Sequence, residues 1–241
     1  MEPLDYLNGI LLLIQISTNL IILIIMGTNY RKTKQRIFIL IPLSFIGLTI
    51  AWVPHLITFL LYLSGGKPLT LQQHFFIALT FIPITLLLWI FAITEFILKN
   101  YRKLIIIIYT VTGILFEIFF LYYLFLPELD VIGERGVGLL DIEYVGFVRI
   151  YLIFVIISIS LTNLLFISQS FKSEDRELKL KGMFLLISLI LYIIGSVVDS
   201  SLTITSPLLL IIIRLCLVVA GITFYIGWFL PKPIKKIFKL S

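Results

Sequence analysis

Apolar residues run through this chain in long blocks separated by short polar punctuation. The blocks predict helices at about 4–28, 37–63, 71–98, 104–126, 147–171, 180–203 and 207–230. Each is near the roughly 20 residues that cross a ~30 Å hydrocarbon core at 1.5 Å per residue. The expected fold is all-α: a polytopic seven-transmembrane-helix bundle forming a single domain over residues 1–241, with no room for a soluble domain.

Polar positions inside the blocks follow helical spacing. In the sixth segment Ser188, Tyr192, Ser196, Asp199 and Thr203 stand at steps of 4, 4, 3 and 4, one polar line that should face the bundle interior. The first segment puts Asn8, Gln15 and Asn19 on one face, expected to hydrogen-bond to neighbouring helices. Ser44, Ala51, His55, Thr58 and Tyr62 form a comparable stripe in the second, interrupted by Pro42 and Pro54, and Pro83 lies near the middle of the third. Such prolines free backbone carbonyls and can bend a helix. Thr110 and Gly113 precede Glu117 on one face of the fourth segment, a small seam suited to close helix approach. Thr18-Asn19-Leu20 recurs as Thr162-Asn163-Leu164 in the fifth. That repeat fits two parallel three-helix units joined by the fourth helix.

Composition agrees with the pattern. The chain is 60% hydrophobic and 13% charged, with a mean hydropathy of +1.14, far from the roughly 25% charged profile of soluble domains. The first block lacks a basic leader region and is followed by cations, so it is read as a retained helix rather than a cleaved signal peptide. Cys216 is the single cysteine, which rules out an intrachain disulfide.

Charge sets the expected orientation. Arg31, Lys32, Lys34 and Arg36, then Lys99, Arg102 and Lys103, then Lys172, Arg176, Lys179 and Lys181, and finally Lys232, Lys235, Lys236 and Lys239 all fall at one end of the predicted bundle. Glu2, Asp5, Glu128, Asp130, Glu134, Asp141 and Glu143 collect at the other. The positive-inside rule then places the N-terminus outside and the C-terminus in the cytoplasm, in an integral protein of the plasma membrane. The net charge of +6 reads as a topology signal and an attraction for anionic head groups, and no nucleic-acid partner is expected. The long loop at 127–146 has turn signals at Gly133 and at Gly136 to Gly138 between short apolar runs, predicting a hairpin cap over the outer mouth. The tail PKPIKKIFKLS predicts a short basic amphipathic segment on the inner leaflet.

The candidate chemistry is a set of ionisable groups in the outer half of the bundle: His55, Glu117, Arg149, Asp199 and Arg214. A charge at membrane depth costs at least ~2.5–3.5 kcal/mol, so each needs a partner, a proton or water. By helical rise Glu117 lies about 14 Å and Arg214 about 10 Å below the outer surface. Arg214 cannot lose its charge and expects a carboxylate, Glu117 or Asp199. Two readings follow: a buried ion-pair network that fixes helix packing, or a water-accessible pocket in which Arg214 holds an anionic group of a ligand. Glu95 and Lys99, four residues apart, are expected to pair at the interface.

Several chemistries are not expected. No lysine lies deep in a predicted span to form a retinal Schiff base, so no retinal or other cofactor is foreseen. His55 and His74 are too few for a zinc hydrolase site, so no metal is foreseen either. No GxSxG, HExxH or P-loop pattern occurs, and a non-enzymatic role is expected. G-protein-coupled receptors share the orientation and helix number. The third segment, however, ends in EFILKNYR without a DRY triplet, and the seventh lacks NPxxY.

The runs ELKLKGMFLLISLILYIIGSVVD and ITEFILKNYRK resemble archaeal seven-helix membrane proteins of uncharacterised function. More remotely they resemble the membrane sensor module of seven-helix histidine kinases. The resemblance implies a sensor-like bundle, here expected to carry no output domain after Ser241. The function expected is a receptor-like protein that binds a small or amphipathic ligand in an outer-half pocket and signals through a separate cytoplasmic partner. The alternative is a small secondary transporter with a 3+1+3 helix arrangement.

Overall fold

In hydrocarbon every peptide group must be satisfied within the chain, which drives the apolar blocks into helices. The computed structural model describes residues 2–33, 36–136, 138–201 and 206–239, without the side chains of 29–33, 200 and 201. Among these residues the helices are α1 (Pro3–Thr33), α2 (Ile37–Ile50), α3 (Val53–Leu63), α4 (Leu71–Leu79), α5 (Ile82–Thr94), α6 (Arg102–Leu124), α7 (Gly146–Lys172), α8 (Arg176–Ser201), α9 (Pro207–Phe229) and α10 (Lys232–Ile237). Six stretches are long and apolar enough to cross a membrane: Pro3–Thr28, Leu71–Thr94, Lys99–Leu124, Gly146–Lys172, Arg176–Asp199 and Pro207–Phe229. The pair α2 and α3, bent by 52°, gives a seventh if counted as one span. The chain is an all-α, polytopic integral membrane bundle.

The second block is therefore not the continuous helix its composition predicts. It breaks at Ala51 and Trp52, and Pro54 stands in the first turn of α3. Proline lacks an N–H and crowds the preceding turn, so the ladder stops just before it. Pro83 does the same between α4 and α5, where the Thr85 hydroxyl donates to the Phe81 carbonyl at 2.7 Å.

The third block ends at Thr94 rather than 98. Leu98 then adopts a left-handed backbone (φ 61°) that turns the chain into α6. With helical geometry lost after Thr94, the expected Glu95–Lys99 pair does not form, and Glu95 pairs with Arg102 at 3.2 Å instead. At the other end of the chain α8 starts at Arg176, four residues before the predicted 180. Thr203 and Lys34 lie outside the described residues, as do the side chains of Arg31 and Lys32.

Helix packing makes a closed ring. Neighbours meet in the order α1, α2, α5, α7, α8, α9 and back to α1, and α6 packs on the outside of α5. Small residues permit the closest approaches, as at Gly47 of α2, where a Cβ would overlap the Thr85 side chain of α5.

The 127–146 loop folds as the expected hairpin. Strands β1 (Gly133–Arg135) and β2 (Ile142–Tyr144) pair antiparallel, with Gly133 opposite Tyr144 and Arg135 opposite Ile142. Arg135 ties it down by donating from Nη2 to the Leu69 carbonyl at 2.5 Å and from Nη1 to the Leu139 carbonyl at 3.2 Å. Leu140 is buried with Leu12 of α1 and Phe59 of α3. The hairpin thus covers one end of the ring. The opposite, basic end carries α10, whose Lys235 donates to Glu177 at the start of α8 at 2.5 Å.

Candidate functional site

Arg214 of α9 is only 3% exposed. Its guanidinium keeps its charge, so every donor must be answered locally. Asp199 of α8 supplies both carboxylate oxygens, at 3.0 Å from Nη2 and 3.2 Å from Nη1. Nη1 also donates to Gln15 Oε1 at 3.4 Å, and Nε donates to Asn8 Oδ1 at 3.1 Å. Asn8 and Gln15 are seven residues apart, two turns along one face of α1, which lets both reach the same guanidinium. Asp199 Oδ2 accepts a further hydrogen bond from Trp52 Nε1 at 2.8 Å. Trp52 sits at the α2–α3 bend, so the proline-induced break is what turns its indole toward the pair. Three helices and one helix bend therefore converge on a single ion pair.

Of the candidate residues, Asp199, Arg214 and His55 border one cavity of about 350 Å³ beneath the hairpin, together with Asn8, Asp5 and Glu2. His55 also presents its ring edge-on to His74, with centroids 4.5 Å apart. Asp199 and His55 also border a second cavity of about 160 Å³, with the exposed Arg149, Tyr144, and Tyr192 and Ser196 of the polar line. Burial drives the Tyr144 phenol above its ordinary value, and the Asp199 carboxylate adds to the effect. Tyr144 therefore lines this cavity as a neutral hydroxyl. Ser188, one turn before Tyr192, donates across to the Ala220 carbonyl of α9 at 2.8 Å.

Two expectations need correction. Glu117 does not join the group: α6 lies outside the ring, and among the described residues no hydrogen bond or ion pair links Glu117 to Arg214. Its Oε1 is buried without a hydrogen-bond partner, beside Tyr151 rather than Arg214. Depth alone brought it into the candidate set; the helix order takes it out. Nor does Arg214 offer a fork to an anion. Its donors are directed to Asp199, Gln15 and Asn8, and the other charged side chains bordering the larger cavity, Glu2, Asp5 and Asp141, are acidic.

Asn8 and Gln15, on the face expected to hydrogen-bond to neighbouring helices, serve as ligands of Arg214. Trp52 was not singled out; its position two residues before Pro54 was the available signal. Asn19, on the same face as Gln15, donates from Nδ2 to Thr49 Oγ1 at 3.1 Å. Among the described residues, no group of three or more His, Cys, Asp or Glu side chains is placed to hold a metal ion. No protein-family model matches the chain, and no curated protein matches it.

Proposed function

We propose that this chain is a non-enzymatic, receptor-like seven-span protein of the plasma membrane that binds a small or amphipathic ligand in the cavity beneath the hairpin. The observation that carries the reading is the cavity of about 350 Å³ whose wall includes the Arg214–Asp199 pair. That volume is within the range of small-molecule sites, which combine apolar walls with a few placed polar groups. With Arg214 committed internally, the wall also carries the carboxylates of Glu2 and Asp5. They favour a ligand carrying N–H donors or positive charge over an anionic one.

The positive-inside rule, applied to the basic loops, supports an orientation with the hairpin and N-terminus outside and α10 in the cytoplasm. The short basic loops and α10 are then the surface for a separate signalling partner, in keeping with the resemblance to seven-helix sensor modules. The Lys235–Glu177 contact would join α10 to α8, the helix that carries Asp199. Mass spectrometry of small molecules released from the purified protein tests the reading, with a His55→Trp variant that fills the cavity as comparison. A molecule retained by the wild type and lost from the variant supports it. No retained molecule, and no thermal stabilisation from a panel of amines and amphipaths, overturns it.

The transporter reading keeps one specific observation. A third, smaller cavity is bordered by α1, α2 and α5 on one side and α7, α8 and α9 on the other, with α6 contributing nothing. That is the arrangement expected of a site between two three-helix units. Uptake of a small-molecule panel into proteoliposomes tests it.

A further inference from the structure

Six helices border the small cavity of about 50 Å³, and among the described residues that line it none is charged. Asn163 of α7 is 3% exposed and Asn19 of α1 is 7% exposed. Both line this cavity, and the carbonyl oxygen of each is buried without a hydrogen-bond partner. Buried acceptors are almost always satisfied, so two facing one cavity call for a donor between them.

The orientation of the Asn19 amide is fixed by its surroundings. Thr49 donates its own hydroxyl proton to the Phe45 carbonyl at 3.1 Å, so toward Asn19 it can only accept. Asn19 must present Nδ2 there, leaving Oδ1 on the other side, against Gly221 of α9. A Cβ at Gly221 would come within 2.6 Å of that oxygen. Asn19 and Asn163 are the middle residues of the two Thr-Asn-Leu triplets. In each triplet the asparagine turns inward and the leucine outward, Leu20 at 47% and Leu164 at 44% exposure. The triplets thus place equivalent acceptors on α1 and α7 at one cavity.

The chemistry of the walls selects the occupant. Carbonyl oxygens repel an anion. A bare cation would have no countercharge here, because Asp199 of the adjoining cavity is held by Arg214 and Trp52. A neutral donor satisfies both acceptors without that cost, and the volume suits water or a solute of a few heavy atoms. On the hairpin side this cavity adjoins the one of about 160 Å³, the two sharing Leu48, Trp52, Ile159 and Tyr192 as a common wall. Toward the basic end it is closed by aromatic rings, with Phe45 stacked on Phe224 at 5.0 Å and Phe224 against Trp228 at 6.2 Å.

We propose that Asn19 and Asn163 form a mid-bundle binding site for a small neutral hydrogen-bond donor, either water or a hydroxyl- or amide-bearing solute. The site holds whether the protein signals or transports. Radiolytic hydroxyl footprinting of the full chain in nanodiscs tests it. The reporter is Trp89, 2% exposed, which lines this cavity and neither of the two beneath the hairpin; Trp228, on the basic side, is the reference.

The wild type is expected to label Trp89 several-fold faster than the Asn19→Leu/Asn163→Leu double variant, with Trp228 unchanged. Gly221→Ala, whose Cβ would crowd the Asn19 oxygen at 2.6 Å and, less closely, Phe45 at 3.3 Å, serves if the double variant does not fold, and should lower Trp89 labelling in the same direction. Added glycerol or urea that lowers the Trp89-to-Trp228 ratio in the wild type identifies a solute site, and an unchanged ratio identifies water. Equal Trp89 labelling in wild type and the folded variant overturns the proposal. So does a ratio that changes when sodium is replaced by choline, which would mark a cation site.

Discussion

Arg214 and Asp199, on adjacent helices, meet through both carboxylate oxygens at 3.0 and 3.2 Å, with the guanidinium almost wholly buried. Removing one member of such a pair leaves the other charge uncompensated, at a cost of about 3–5 kcal/mol. Arg214→Leu should therefore lower the thermal stability of the purified protein sharply. Adding Asp199→Asn should recover part of the loss, because the orphaned carboxylate becomes a neutral amide that still accepts from Trp52. Unfolding measurements on the four proteins of this cycle check the claim, and a fully stable Arg214→Leu single variant would contradict it.

Trp52 is the third partner, and its role can be separated from its bulk. Trp52→Phe retains an aromatic ring against Tyr192, which it meets edge-on, and removes the Nε1 hydrogen bond to Asp199 together with part of the indole's bulk. A hydrogen bond to a charged group contributes about 1.5–3 kcal/mol, so the substitution should cost stability in that range. The cost should shrink in an Asp199→Asn background, where the acceptor is neutral. An undiminished cost would mean that Trp52 acts by packing alone.

Glu117 gives the opposite expectation. Since α6 stands outside the helix ring, Glu117→Gln and Arg214→Leu touch no common partner, and their effects on unfolding should add within about 0.3–0.5 kcal/mol. A Glu117→Gln substitution that rescues Arg214→Leu would place the two groups in one network and contradict the observed helix order.

What was legible in the sequence, and what was not, divides along physical lines. Helical periodicity reads one helix at a time, so the inward faces carrying Asn8, Gln15, Asn19 and Ser188 were visible from spacing alone. The hairpin was visible from its glycines and flanking apolar runs. Depth along the membrane normal was also readable, and it correctly set Asp199 level with Arg214. Neighbour order around the ring is not encoded in any single helix, which is why depth admitted Glu117 although α6 lies outside. The bend at Ala51 and Trp52 was only half visible: Pro54 signals a weak point, but the direction in which the Trp52 indole then turns depends on α8. The Glu95–Lys99 expectation failed for a similar reason, since i,i+4 pairing presupposes a helix that ends at Thr94.

Two glycines separate close packing from intrinsic helix preference. At Gly47 an added Cβ would overlap the Thr85 side chain, and α2 and α5 would have to move apart, whereas at Gly27 nothing lies within 4 Å of the added atom. Overpacking of this kind costs about 1–3 kcal/mol, so Gly47→Ala should lower the unfolding temperature. Thr85→Ala, which removes Oγ1 and Cγ2 from the overlap, should restore part of the loss. Gly27→Ala meets no neighbour and gains the better helix former, worth about 0.8–1 kcal/mol in a helix interior, so it should be neutral or stabilising. Thermal unfolding of the three single variants and the Gly47→Ala/Thr85→Ala pair in one detergent provides the measurement. Equal effects at the two glycines would mean that the α2–α5 contact does not depend on Gly47, and the ring order built on that contact would have to be redrawn.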